Sequence, residues 1–144
     1  MAEPPILRGI HIFARDVPAS VAFYQRAGLE FSSTSHDFAR AEGDRAALEI
    51  GSHKLTLGYD AAFEEPPAGG SGTALQIGLA SREAVDEMFA DLTTAGYKPH
   101  LAPFDAFWGS RYAVVRGPGP IIVGLMSPAD PAARSAGPEL SEFT

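Results

Sequence analysis

One histidine and a group of aromatic residues are the side chains best suited to bind or transform a small molecule. His11 lies in an alternating segment near the start of the chain, where an imidazole can serve as acid, base or metal ligand. Aromatic side chains that can stack on a flat ligand crowd a later segment, which holds Phe104, Phe107, Trp108 and Tyr112. No Ser/His/Asp or paired-carboxylate spacing accompanies His11, so these residues favour binding over catalysis. The structural alternative is that His11 hydrogen-bonds within its strand and Trp108 packs under its own loop.

Length and composition restrict the class of protein. The chain has 144 residues, of which 45% are hydrophobic and 20% charged, as expected for one globular domain. A net charge of −7 without any cluster of Lys or Arg argues against a nucleic-acid surface. No apolar run approaches the roughly 18 residues that span a bilayer, and the absence of cysteine fits a reducing compartment. We therefore expect a cytoplasmic protein that binds neither nucleic acid nor membrane.

Two segments of the chain follow the same plan of strand, helix cap, helix, glycine stop and strand. In the first, residues 7–15 alternate as a strand, and Asp16 is a natural cap for the helix that follows. Gly28 supplies the left-handed residue that ends this helix. The predicted elements that follow are a strand at 29–36 and a hairpin of 46–50 and 54–59 across Gly51-Ser52.

The second segment begins after residues 60–72, a linker rich in Pro and Gly. A strand over 74–79 precedes Ser81, which caps a helix whose apolar residues recur at helical spacing. Gly96 ends this helix. The remaining predicted strands are 98–102, 111–116 and 121–126.

Three short motifs point to one protein family. They are Asp16-Val17 followed by Val21-Ala22-Phe23-Tyr24, Val85-Asp86 with Ala95-Gly96, and Trp108-Gly109-Ser110-Arg111-Tyr112. With these motifs, residues 6–128 resemble the vicinal oxygen chelate superfamily of glyoxalase I, extradiol dioxygenases and bleomycin-resistance proteins. The resemblance is closest to its metal-free antibiotic-binding members, and it implies an α+β fold of two βαβββ modules forming a cup-shaped, barrel-like mixed sheet. The implied boundaries are a single domain at 1–128, with module one at 6–59, the linker at 60–72, module two at 73–126, and a tail at 127–144.

The metal ligands of this family have no counterparts here. Carried over residue by residue, the resemblance places the ligand positions on Gly9, Gly58, Ala74 and Gly124. Divalent metals require several N or O donors at about 2.0–2.6 Å, which glycine and alanine side chains do not supply. The resemblance therefore implies a protein without a metal or other cofactor, whose small residues leave space on the floor of the cup.

Period-two alternation adds further residues to the face that carries these positions. We expect a largely apolar site with few polar groups, which is typical of small-molecule pockets. His36 and Phe38, in the predicted loop after the second strand, are weaker candidates for its rim. Arg111 either anchors an acidic group of a ligand or pairs with Asp105. The candidate ligand-binding residues are His11, Phe13, Phe38, Thr56, Gln76, Phe104, Phe107, Trp108, Tyr112 and Met126, and no catalytic residue is assigned.

These observations favour a metal-free protein that sequesters a flat or aromatic natural product, such as an antibiotic, and so confers resistance. The alternative is a metal-independent lyase, isomerase or cyclase of the same superfamily, with His11 as acid–base and Gln76 as orienting group. A metal-dependent glyoxalase or dioxygenase is the least favoured hypothesis. The resemblance also implies a homodimer in which each cup is shared between two chains.

Overall fold

A computed structural model describes residues 9–44, 46–66 and 73–137. These residues form two compact units. The first unit comprises the described residues before 67 together with residues 117–121, and the second comprises the other described residues from Thr73 onward. Each unit carries one four-stranded sheet in the order strand, helix, strand, strand, strand, which confirms the predicted α+β class and βαβββ plan. The described strands form two separate sheets that are not closed into a barrel, so the barrel-like part of the prediction is wrong. Within the described ranges, no helix combines the length and apolar content that crossing a membrane demands.

The first unit is a mixed sheet that packs on one helix. Its elements are β1 (Gly9–Phe13), α1 (Val17–Arg26), β2 (Ser33–Thr34), β3 (Phe38–Ala41) and β4 (Ala47–Gly51), in the sheet order β1-β4-β3-β2. β1 pairs in parallel with β4, and the other pairs are antiparallel. Asp16 caps α1 as predicted, because its carboxylate accepts a hydrogen bond from the Ala19 amide at 3.0 Å.

Alternation divides this sheet into a core face and an exposed face. Ile12, Ala39 and Ile50 lie opposite one another and are at most 5% exposed, and with Phe23 and Tyr24 of α1 they belong to the buried core. The other face carries the residues of odd number on β1 and β4 and of even number on β3. The polar and charged side chains of these three strands therefore share one surface of the first unit.

The predicted hairpin of 46–50 and 54–59 is wrong, because its second half is a helix. β4 occupies Ala47–Gly51, and α2 follows at His53–Tyr59. Ser52 caps α2 by accepting from the Leu55 amide at 3.1 Å, and its hydroxyl donates to Asp37 at 2.7 Å. The segment alternates Leu55 and Leu57 with polar residues, which favours a strand. The contact of Ser52 with Asp37, distant in sequence, accompanies the helical form instead. The predicted second strand is likewise shorter, since only Ser33–Thr34 pair, and Phe38 lies in a strand rather than a loop.

The second unit repeats the architecture with a longer helix and longer strands. Its elements are β5 (Ala74–Gly78), α3 (Arg82–Thr94), β6 (Lys98–Asp105), β7 (Arg111–Arg116) and β8 (Ile122–Met126), in the sheet order β5-β8-β7-β6. Ser81 caps α3, and Gly96 adopts a φ of 103°, as their sequence positions predict. β6 extends three residues beyond the predicted strand, to Asp105. In the predicted tail, Pro131–Ala133 form one turn of 3₁₀ helix.

The core of the second unit lies between its sheet and α3. Buried side chains of the sheet alternate with those of the exposed face, and Val85 and Leu92 of α3 are fully buried. The exposed face carries Gln76 of β5, Gly124 and Met126 of β8, and Tyr112 of β7. Val114 of β7 lies on this face too but is only 4% exposed. The core-facing sheet residues are Leu75, Ile77, Ala113, Val115, Val123 and Leu125, each at most 8% exposed.

Candidate functional site

The exposed face of the first unit carries a row of charged side chains across three strands. His11 of β1 lies opposite Glu49 of β4, and Glu49 lies opposite Arg40 of β3. The His11 Nδ1 atom is 3.5 Å from Glu49 Oε1, and the Arg40 Nη1 atom donates to Glu49 Oε2 at 2.5 Å. The side chains of His11 and Glu49 are 29% and 32% exposed. One carboxylate therefore bridges an imidazole and a guanidinium, all within reach of solvent.

Neighbouring side chains raise the pKa of Arg40 and hold the His11 imidazole in position. Arg40 also donates to Glu42 at 2.7 Å, and the hydrogen bonds to Glu42 and Glu49 raise the pKa of the Arg40 guanidinium. The His11 ring meets Tyr59 edge to face at a centroid distance of 6.0 Å. A Cβ atom at Gly51 would lie 2.7 Å from His11 Nε2. The imidazole ring therefore packs against the backbone of Gly51, where any larger residue would displace it. An imidazole held beside a carboxylate is an arrangement that can transfer protons.

This row corrects the positions assigned to the family's metal ligands. Gly58 lies on α2, so it is not the fourth-strand position predicted from the sequence. Gln76 lies opposite Gly124 on β5 and β8, in the same register that sets His11 opposite Glu49 on β1 and β4. The counterpart of Gly124 in the first unit is therefore Glu49, a carboxylate.

The donor atoms nevertheless do not fit a resident divalent metal. Among the described residues, no group of three or more His, Cys, Asp or Glu side chains converges. His11 and Glu49 supply two donors, and Arg40 occupies one oxygen of the carboxylate. A metal site of the usual kind needs at least three protein donors, and a bound guanidinium opposes a second cation electrostatically.

Phe13, a predicted ligand-binding residue of the first unit, is shielded from solvent. It is 9% exposed, and the ring of Phe63 covers it at a centroid distance of 5.2 Å. Glu65 holds this covering segment in place through Arg15 at 3.3 Å and His53 at 3.6 Å. Residues 60–66, predicted as linker, therefore pack on the first unit.

Thr56 is not on a strand as alternation predicted, and Phe38 is not in the loop predicted for it. Thr56 lies on α2, is 4% exposed, and donates its hydroxyl hydrogen bond to the Ser52 carbonyl at 2.8 Å. Phe38 is half-buried on β3, opposite Gly51. His36 lines a different feature, an open cleft of about 380 Å³ between α1 and the β2 region.

The exposed face of the second unit carries a continuous series of aromatic rings. Phe104 meets Tyr112 at a centroid distance of 6.0 Å, Tyr112 meets Trp108 at 5.2 Å, and Trp108 meets Phe107 at 5.2 Å. All three contacts are edge to face, the favoured geometry for aromatic pairs. Phe104 is 38% exposed and Phe107 is 43% exposed. We call these four residues the aromatic series.

The indole of Trp108 is held inside this series rather than presented on its surface. Its Nε1 atom is buried and has no hydrogen-bond partner in the part of the chain that the structure describes. Gly109 adopts a φ of 101°, and its carbonyl accepts from the Asp130 amide at 3.0 Å. Arg111 donates to Asp86 at 2.9 Å and to Asp105 at 3.2 Å, so its guanidinium pairs within the unit, which is the structural alternative predicted for it.

Polar groups converge beside the aromatic series, over Gly124. A Cβ atom at residue 124 would lie 2.6 Å from the Tyr112 hydroxyl and would collide with Gln76 Oε1. Met126 and Gly78 continue the row that begins at Tyr112. The space left by Gly124 is therefore occupied by two side chains, in contrast to the empty floor expected from the sequence.

Glycine is required at position 9 for a different reason from that at position 124. A Cβ atom there would lie 2.8 Å from the Ala47 carbonyl oxygen of the neighbouring strand. Gly9 therefore allows β1 to approach β4 closely and leaves no cavity.

The charged row was not predicted from the sequence, because assigning residues 54–59 as the fourth strand left Glu49 out of the candidate site. The alternation of Ala47, Glu49 and Gly51 was the available signal.

Comparison with known proteins identifies relatives of this fold. The family model described as the glyoxalase/bleomycin resistance protein/dioxygenase superfamily matches residues 6–124. A glyoxalase/bleomycin resistance protein/dioxygenase from Nocardioides is 22% identical, with 98% of this chain and 93% of that chain covered and a TM-score of 0.71. A search of curated proteins finds no significant match.

Two further solved structures are similar. A glyoxalase/bleomycin resistance protein/dioxygenase family enzyme from Burkholderia phytofirmans PsJN is 24% identical, with 85% of this chain and 98% of that chain covered and a TM-score of 0.72. A lactoylglutathione lyase from Agrobacterium tumefaciens is 19% identical, with 88% of this chain and 96% of that chain covered and a TM-score of 0.64. At these identities the likeness concerns the fold alone.

Proposed function

Since this chain belongs to the glyoxalase/bleomycin resistance protein/dioxygenase superfamily, we propose that it binds a planar aromatic small molecule without a metal. The aromatic series carries this proposal. Phe104 and Phe107 expose 38% and 43% of their surface beside the rings of Tyr112 and Trp108. Each aromatic contact with a ligand contributes about 0.5–1.5 kcal/mol beyond burial alone. The second unit thus offers stacking area on a rigid sheet.

The biological role that fits such binding is sequestration of a toxic natural product, such as an antibiotic. The superfamily includes bleomycin resistance proteins by name, and binding without chemistry suffices for that role. A chain without cysteine suits the cytoplasm, where an antibiotic must be intercepted. As its family resemblance implies, we propose that the protein acts as a homodimer.

Titration with candidate compounds tests the binding proposal. Because Trp108 is the only tryptophan, bleomycin, mitomycin C and daunorubicin can be compared by quenching of its fluorescence. We expect saturable quenching by at least one of them, at one ligand per subunit. Phe104→Ala should weaken binding about tenfold by removing one stacking surface.

Tyr59→Ala is the matched control, because Tyr59 is an aromatic residue, 65% exposed, on α2 of the first unit. It should leave the affinity unchanged. Absence of quenching by all three compounds, or equal losses in Phe104→Ala and Tyr59→Ala, would contradict binding at the aromatic series.

The charged row supports a second candidate, a metal-independent acid–base enzyme. Here the His11 imidazole would take a proton from the substrate, and the Glu49 carboxylate, 3.5 Å away, would stabilise the imidazolium that forms. Arg40 would hold Glu49 in place through its hydrogen bond. Glu49 would then be the acid partner of His11.

Product analysis separates this candidate from sequestration. Each of the three compounds is incubated with the protein and EDTA, and its mass is then measured. An enzyme of this kind would convert at least one compound, and both His11→Ala and Glu49→Gln would abolish the conversion. Recovery of the unchanged compound after prolonged incubation leaves sequestration as the function.

A further inference from the structure

Two polar side chains of the second unit converge on one bare position of the sheet. Gln76 of β5 lies directly opposite Gly124 of β8, and Tyr112 of β7 lies two residue pairs further along, opposite Met126. The Gln76 Oε1 atom and the Tyr112 hydroxyl both lie within contact distance of the point where a Cβ at residue 124 would be. The two oxygens are therefore close to each other, above the same glycine.

Within the described part of the chain, neither group serves as a hydrogen-bonding partner. In the described ranges, the Gln76 amide and the Tyr112 hydroxyl have no hydrogen-bond partner, and the buried Trp108 Nε1 atom has none either. The great majority of buried N–H groups in proteins have a hydrogen-bond partner, and leaving one unpaired lowers the stability by about 1–3 kcal/mol. Tyr112 contacts Trp108 at a centroid distance of 5.2 Å, so the three groups belong to one cluster.

The chemistry of this cluster specifies what it can recognise. An amide side chain offers an acceptor and donors side by side, and a phenol hydroxyl donates or accepts one hydrogen bond. The cross-strand row of Gln76, Gly124 and Val114 carries no charge, whereas the corresponding row of the first unit holds His11, Glu49 and Arg40. The ligand edge that matches is therefore neutral and presents a donor next to an acceptor.

We propose that Gln76 and Tyr112 form a polar subsite that binds a carbonyl oxygen and the adjacent N–H or O–H of a planar ring, as in a lactam. This inference rests on the proposed function, because the aromatic series must hold the ring. Tyr112 donates to the carbonyl oxygen, and Gln76 Oε1 accepts from the neighbouring N–H or O–H. Gly124 is the specificity-determining residue, since any side chain there displaces both groups.

A series of three bicyclic probes of similar size tests the subsite. 2-Quinolone carries a carbonyl beside an N–H, quinoline carries an acceptor alone, and naphthalene carries neither. We expect calorimetric titration to show 2-quinolone binding at least about tenfold more tightly than naphthalene, with quinoline between them, because a site built to hydrogen-bond discriminates strongly against analogues that lack the partner group.

Three variants assign this preference to its residues. Gln76→Leu and Tyr112→Phe remove hydrogen-bonding groups but keep the shape, so each should reduce the preference for 2-quinolone several-fold and leave naphthalene affinity unchanged. Gly124→Ala should reduce it as well, by displacing both groups. Gln25→Leu, the same change at an exposed position of α1, is the matched control and should have no effect. Far-UV circular dichroism verifies folding of each variant.

The outcomes separate this inference from the proposed function. If none of the three probes binds the wild-type protein, the aromatic series is not a binding surface and both proposals are wrong. If all three bind with equal affinity, and the variants change nothing, the aromatic series stands and the polar subsite is overturned. A preference for 2-quinolone that survives both Gln76→Leu and Tyr112→Phe also overturns it.

Discussion

Glycine serves opposite purposes at two strand positions of this protein. At Gly9 the nearest atom to an added methyl group would be the Ala47 backbone carbonyl oxygen, which the parallel pairing of β1 and β4 holds in place. At Gly124 the neighbours would be the ends of Gln76 and Tyr112, which can rotate away. The same substitution therefore affects stability at one position and ligand specificity at the other.

Alanine substitutions test this distinction. Gly9→Ala should lower the free energy of unfolding by about 1–3 kcal/mol, the usual cost of overpacking against fixed atoms. Gly78→Ala is the matched control on the corresponding strand β5, because a Cβ there meets nothing within 4 Å. It should be neutral or stabilise by up to about 1 kcal/mol, since alanine restricts the unfolded chain. Urea denaturation measures both, and equal values for the two variants would contradict the argument.

At the scale of the element, α2 depends on one serine. Ser52 accepts from the Leu55 amide and donates to Asp37, so it both caps the helix and joins it to the β2–β3 turn. The segment that follows alternates leucine with polar residues and therefore resembles a strand in sequence. We expect its helical form to depend on these two hydrogen bonds.

Removing the cap should have a measurable cost. Ser52→Ala is expected to lower the free energy of unfolding by about 1–2 kcal/mol, the upper range for a lost N-cap. Ser33→Ala, at an exposed position of β2, serves as the control and should change stability little. Retention of full stability in Ser52→Ala would show that α2 is held by other contacts.

A second element-scale feature is the network of ion pairs that joins α3 to the strands beside the aromatic series. Asp105, at the end of β6, pairs with Arg82 of α3 and with Arg111 of β7, and Arg111 also pairs with Asp86 of α3. Burial acts to raise the pKa of the Asp105 carboxyl, but hydrogen bonds from Arg111 and Arg82 outweigh it, so the pKa lies below its ordinary value.

This network predicts a dependence of stability on pH. A carboxyl whose pKa is lowered by folding contributes stability above its unfolded pKa, about pH 4, and that contribution is lost as the pH falls through the folded pKa. Asp105→Asn should therefore be less stable than the parent at pH 7, and the difference should shrink below about pH 4. Urea denaturation at about pH 7 and about pH 3 measures this. Glu87→Gln, an exposed change on α3, is the control, and an equal difference at both pH values would contradict the prediction.

At the scale of the whole molecule, one topology is used twice with different chemistry. Equivalent registers place His11 and Glu49 on one sheet and Gln76 and Gly124 on the other. In the first unit the row across three strands is charged, whereas in the second unit the corresponding row of Gln76, Gly124 and Val114 is uncharged and lies beside the aromatic series. Repetition of a fold therefore does not imply repetition of a site, because outward-facing positions carry little of the core packing.

The proposed homodimer is also a property of the whole molecule. Static light scattering should give a mass twice the 15.2 kDa of the chain, and this mass should persist on dilution to the micromolar range. Apolar side chains such as Leu101, 43% exposed on β6, would then be covered by the second copy. The mass of a single chain across this range would exclude the dimer.

The elements predicted correctly from sequence are those whose signals are local. Asp16 and Ser81 cap their helices, and Gly28 and Gly96 adopt positive φ, because cap and stop depend on residues a few positions apart. The sequence also shows that the four aromatic residues are close together, whereas their role in binding a ligand stays a prediction. Their ring contacts and the internal pairing of Arg111 depend on the tertiary structure.

By itself, the sequence determined the α+β class, the two repeated modules, the caps and the aromatic segment, because composition, period and turn residues act over short stretches of chain. Only the tertiary structure decided that residues 53–59 are helical, that Phe13 and Thr56 are buried, and that Glu49 lies beside His11. Those features depend on which strands pair and in which register. The register of strand pairing brings residues that are far apart in the chain next to each other, and no short sequence pattern specifies that register.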